Sequence, residues 1–141
     1  MDRTVRMRWL KGMYLANVII SGPIGLANLV APDVMRTLMD IPPGDPIHFG
    51  IGAGALPLAF GIGGALGLRV PHRMAPVLLV QALYKSLFLV GGILPQALRG
   101  SVPGFAIPLI GLFTLFIVGD VIAIPFSHLF ERMPRQDLAE P

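Results

Sequence analysis

Met74–Leu94 reads MAPVLLVQALYKSLFLVGGIL, an apolar run with Gln81 and Lys85 close to its middle. About 20 apolar residues span the hydrocarbon core of a bilayer, so the stretch is predicted to be a transmembrane helix. A lysine near mid-depth costs roughly 3 kcal/mol on insertion scales, so its presence asks for a reason. The other ionisable residue set deep in an apolar run is Asp120. The sequence therefore reads as a polytopic membrane protein with two intramembrane charges to explain.

Composition agrees with that class. The 141 residues are 54% hydrophobic and only 13% charged, and the mean hydropathy is +0.72. Soluble chains are closer to a quarter charged. The length suits a single domain. With no cysteine, disulfides, thiol chemistry and cysteine-ligated metal are excluded. The net charge of +3 comes from basic residues at span ends, a pattern of membrane topology rather than of nucleic-acid binding.

Four spans are predicted, near residues 9–31, 47–68, 74–94 and 104–126, in an all-α up-down bundle followed by a polar tail over 127–141. Arg3, Arg6, Arg8 and Lys11 lead into the first span. That span is too long for a secretory signal, and no small-x-small cleavage pattern precedes Pro32. Tyr14, Asn17, Ser21, Gly25 and Asn28 recur at spacings of three and four, which places them on one face turned toward partner helices. Pro23 is expected to kink the outer half.

The connection Pro32–Pro46 (PDVMRTLMDIPPGDP) carries Val34, Met35, Leu38 and Met39 at helical spacing, as in a short interfacial helix. Asp33, Asp40 and Asp45 lack the spacing of a calcium loop and read as solvated loop acids. In the second span Gly50/Gly54 and Gly63/Gly67 are small-xxx-small pairs that allow close backbone approach, within the chain or at a subunit contact. Its GxGxG letters lack the strand–turn–helix setting of a nucleotide loop. His48, His72 and His128 lie at span ends on opposite sides, too scattered for a metal or haem site. No cofactor and no metal are expected.

Counting Lys and Arg orients the chain. Arg3, Arg6, Arg8, Lys11, Arg69, Arg73, Arg132 and Arg135 fall on one side, and Arg36 and Arg99 on the other. The positive-inside rule puts both termini in the cytoplasm of an inner-membrane protein. At about 1.5 Å per helical residue, Tyr14, Asn17, Gln81, Lys85 and Asp120 then reach similar depths and form one polar cluster. A Lys85–Asp120 contact between consecutive antiparallel spans is geometrically cheap.

The layout resembles that of the small bacterial four-helix membrane proteins of the DoxX-like group. The features are the Arg-led first span ending LVAP, the connection ending MDIPPGDP, the Gly-rich FGIGAGALPLAFGIGGALGLR, and a basic residue midway along QALYKSLFL. The resemblance implies a four-helix membrane fold and, for some members, thiol or redox partners. A chain without cysteine departs from any direct thiol role.

Three function classes stay open. A membrane scaffold or partner subunit needs only packing faces and a satisfied Lys85–Asp120 pair. A small-molecule or proton transporter, acting as a homo-oligomer, needs a polar centre reachable by water. A membrane enzyme acting on a lipid or isoprenoid needs a lateral pocket near Lys85 and Tyr84. The expected partners are the lipid bilayer and either further copies of the chain or a membrane protein, and not nucleic acid.

Overall fold

The computed structural model describes residues 3–42 and 54–126. Asp45, His48, Gly50, the first part of the 47–68 span and the 127–141 tail lie outside the described residues. Among the described residues every regular element is a helix. We label them α1 (3–30), α2 (Pro32–Leu38), α3 (Ala55–Arg69), α4 (75–98) and α5 (Ala106–Ala123).

Three of these helices are long and apolar enough to cross a membrane: Arg6–Val30, Ala75–Leu98 and Ala106–Ala123. The shorter α3 has 15 residues. The ends differ from the sequence reading. Helix α1 already starts at Arg3 and takes in the basic cluster, and α4 runs four residues past Leu94 to Leu98.

Both α1 and α4 contain one π-helical turn, at Asn17–Ser21 and Leu89–Ile93. Each is followed two residues later by a proline, Pro23 and Pro95. Proline has no N–H to donate and its ring crowds the preceding turn. One wide turn just before it takes up the mismatch, with Gly22 N–H reaching Asn17 O and Leu94 N–H reaching Leu89 O. The helix therefore continues through Pro95 instead of stopping there, which is why α4 outruns its expected boundary.

Helix α1 sits between α3 and α5, and α4 packs on α5 with a lighter contact to α3. Glycine sets the α1–α3 distance. A Cβ at Gly25 would collide with the backbone of Leu58, one at Gly61 with Gly22, and one at Gly64 would lie 2.7 Å from Tyr14 O. The pairings Gly25–Leu58, Gly22–Gly61 and Tyr14–Gly67 run in opposite directions along the two helices. The helices are therefore antiparallel, with their backbones nearly touching.

Of the glycines singled out in the sequence, Gly54 packs on Gly25 O, Gly63 on Val77 and Gly67 on the Tyr14 ring. All three face other parts of the same chain. Gly54 also adopts a positive φ of 63° just ahead of α3, a conformation that glycine takes without a Cβ clash.

Two apolar clusters fill the interior. Leu10, Met13, Tyr14, Leu78, Phe116, Ala123 and Ile124 pack toward the end that carries Arg69 and Arg73. Ile41, Ile93, Ala106, Leu109 and Phe113 pack toward the Arg99 end. Helix α2 buries none of its residues. Two residues past its end Asp40, with a φ of 52°, turns the chain so that Ile41 N–H bonds Arg36 O and Ile41 enters the second cluster.

Candidate functional site

The polar residues expected to cluster are all buried: Tyr14, Asn17, Gln81 and Asp120 are 0% exposed and Lys85 is 5% exposed. They do not form one hydrogen-bonded group. Tyr14 Oη donates to Pro71 O at 2.7 Å, tying α1 to the turn between α3 and α4. Asn17 donates from Nδ2 to Met13 O at 3.1 Å and accepts from Ser21 Oγ at 2.9 Å. Asn28 donates to Ile24 O at 2.9 Å. The polar stripe of α1 faces the interior as its spacing predicts, but apart from Tyr14 its side chains bond back onto their own helix instead of bridging to neighbours.

The register of α4 on α5 explains the remaining three residues. Phe88 meets Phe113 with ring centroids 5.3 Å apart. Three residues along each helix, in opposite directions, the Lys85 ammonium lies 3.7 Å from the centre of the Phe116 ring. Four residues further along each, Gln81 comes level with Asp120. Asp120 is thus one turn away from Lys85, and no Lys85–Asp120 salt bridge forms. The direct contact expected from the sequence is displaced by a phenylalanine. The two charges still lie within electrostatic range, as do Asp120 and Tyr14.

Around the ammonium, Phe113 and Phe60 stand at 5.4 and 5.9 Å, which completes an aromatic cage of three rings. A desolvated cation–π contact is worth up to about 2 kcal/mol. That offsets much, though not all, of the roughly 3 kcal/mol cost of a lysine at mid-depth. Lys85 also lines a partly open cavity of about 70 Å³, with Ser21 and Tyr84 on its wall. A water needs about 10–15 Å³ by this measure, so the space suits a few waters or a very small guest.

Gln81 and Asp120 stand out chemically. Gln81 Nε2 and Oε1 and both Asp120 carboxylate oxygens are buried with no hydrogen-bond partner in the protein. One unsatisfied buried polar atom costs about 1–3 kcal/mol, and a charged one more. Two buried, unpartnered side chains at the same level of neighbouring helices offer donors and acceptors to a guest that bonds both.

The sequence reading missed Phe116, Phe113 and Phe60 as partners of Lys85. The signal was present in part. Phe113, Phe116 and Asp120 recur at spacings of three and four, which is one helical face. Elsewhere, Asp33 lies beside Arg36 at 3.7 Å on exposed α2, and Asp40 turns the chain after it. Among the described residues no three His, Cys, Asp or Glu side chains converge.

Comparison with known proteins adds no relative: no protein-family model, no curated protein and no solved structure matches the chain.

Proposed function

We propose that the chain is a small polytopic inner-membrane protein with four spans in an up-down bundle and both termini in the cytoplasm. Three long apolar helices support this reading. Helix α3 at about 1.5 Å per residue covers about 22 Å of a core about 30 Å thick. Residues 47–54 ahead of it read IHFGIGAG, with no Asp, Glu, Lys or Arg, so the sequence is compatible with a longer span. The excess of Lys and Arg at one end supports the orientation.

Within that bundle the Gln81–Lys85–Asp120 centre is a relay for protons carried through a hydrogen-bonded guest. The carrying observation is that Gln81 and Asp120 are wholly buried without a partner in the protein, on helices whose register at Phe88–Phe113 and Lys85–Phe116 puts them at the same level. Intramembrane carboxylates of this kind mark proton and ion pathways in transporters. A purely structural role is less well supported, because the salt bridge that role requires is replaced by the Phe116 contact. The glycine contacts of α3 are spent inside the chain, so they offer no face to a partner subunit. An enzyme acting on a lipid or isoprenoid fits poorly too. The cavity at Lys85 of about 70 Å³ is well below the roughly 300–1,000 Å³ of substrate pockets.

The test is proton flux into liposomes that hold the purified protein and a pH-sensitive dye, driven by a potassium diffusion potential. The wild type is expected to acidify the lumen faster than empty liposomes, with Asp120→Asn and Gln81→Leu returning the rate to that baseline. Arg99→Gln, outside the centre, should leave the rate unchanged. A wild-type rate equal to that of empty liposomes would sink the relay.

A further inference from the structure

A second feature lies on the outside of the α1–α5 pair. A groove of about 590 Å³, open along one side, runs between the two helices from Arg8 and Trp9 to Ile20. Its volume is in the ligand-pocket range of about 300–1,000 Å³. Gly12 and Gly119 form part of its floor, and Arg8 is the charged residue on its lining. Trp9 is 46% exposed beside it.

We infer that this groove binds one acyl chain of an anionic phospholipid from the cytoplasmic leaflet, with the headgroup phosphate on Arg8. The inference rests on the membrane orientation proposed above and is independent of the relay. Length supports it. Arg8 to Ile20 covers about 18 Å of helix, close to the roughly 15 Å of hydrocarbon in one leaflet. Charge supports it at one end only, where a guanidinium forks onto phosphate and the tryptophan marks the headgroup level.

The walls beyond that end are apolar side chains such as Ala16, Ile20 and Leu115, which match an acyl chain and offer nothing to a polar ligand. The floor is low because Gly12 carries no side chain. A Cβ there would meet nothing within 4 Å, so a larger residue fills the groove without disturbing the helix contact.

The experiment is native mass spectrometry of the protein released from bilayers of equal phosphatidylglycerol and phosphatidylcholine. The wild type should retain one phospholipid, enriched about fivefold in phosphatidylglycerol, the preference that one Arg at the headgroup level gives. Arg8→Gln should retain lipid with no headgroup preference. Gly12→Phe should retain none while keeping the wild-type circular dichroism.

A wild type that retains no lipid, or retains both lipids equally, overturns the proposal. So does a Gly12→Phe variant that retains lipid as the wild type does. A change of oligomeric state in Gly12→Phe would instead assign the groove to a second copy of the chain, and would also overturn it. Loss of proton flux in Asp120→Asn has no bearing on these outcomes, so the two proposals fail separately.

Discussion

The Lys85 ammonium rests 3.7 Å from the centre of the Phe116 ring, and Asp120, one turn along the same helix, keeps both carboxylate oxygens unpaired in the protein. Breaking a buried salt bridge by removing one partner costs about 3–5 kcal/mol, and removing both recovers much of it. This centre should behave differently. Asp120→Leu and Lys85→Met are each expected to stay within about 1 kcal/mol of wild type in unfolding from detergent, since each removes a desolvated charge that lacks a direct counter-ion. Their coupling energy should be below about 1 kcal/mol. Large single losses with recovery in the double variant would restore the direct ion pair.

Phe116 is expected to carry the energy that Asp120 does not. Phe116→Leu should cost about 2–3 kcal/mol, combining lost buried area with a cation–π contact of up to about 2 kcal/mol. In a Lys85→Met background the same substitution should cost about 1–2 kcal/mol less. Equal losses in both backgrounds would show that the ring only packs.

The α1–α3 contact predicts a contrast among glycines. Gly61→Ala pushes a methyl group onto Gly22, and overpacking of this kind costs about 1–3 kcal/mol. Gly111→Ala meets nothing within 4 Å and should gain up to about 1 kcal/mol from helix propensity. Thermal unfolding of the two variants side by side decides it, and equal shifts in melting temperature would contradict the packing.

Tyr14→Phe removes the 2.7 Å bond to Pro71 O and should cost about 1 kcal/mol. Protease should then cut the turn between α3 and α4 faster than in wild type. An unchanged cleavage rate would mean that the bond does not hold that turn.

The orientation is checked by labelling Arg73→Cys and Arg99→Cys in intact cells with a reagent that does not cross the membrane. Arg99→Cys should label and Arg73→Cys should label only after permeabilisation. Labelling of both from outside would refute the proposed topology.

Hydrophobic run length and periodicity made the helices and their inward faces legible. Tyr14, Asn17, Ser21, Gly25 and Asn28 are all buried, as their spacing predicts. Periodicity fixes a face, however, and not the register between faces. Whether Lys85 meets Phe116 or Asp120 depends on a shift of one turn between α4 and α5, which side-chain packing decides. The same limit explains the glycines. Small-xxx-small spacing found Gly63 and Gly67, whereas the tightest approaches are at Gly25 and Gly61, where two particular backbones cross. The π-helical turns ahead of Pro23 and Pro95 were legible only as prolines in apolar runs. A proline alone does not say whether a helix stops or widens by a residue and continues.

The central claim is that Gln81 and Asp120 share a polar guest. A map of the protein in lipid that resolves ordered water tests it most directly. Density is expected between the two side chains, within hydrogen-bond distance of Gln81 and of an Asp120 oxygen, and should be lost in Asp120→Leu. A direct Gln81–Asp120 hydrogen bond, or a Lys85–Asp120 salt bridge with no density between Gln81 and Asp120, would contradict it.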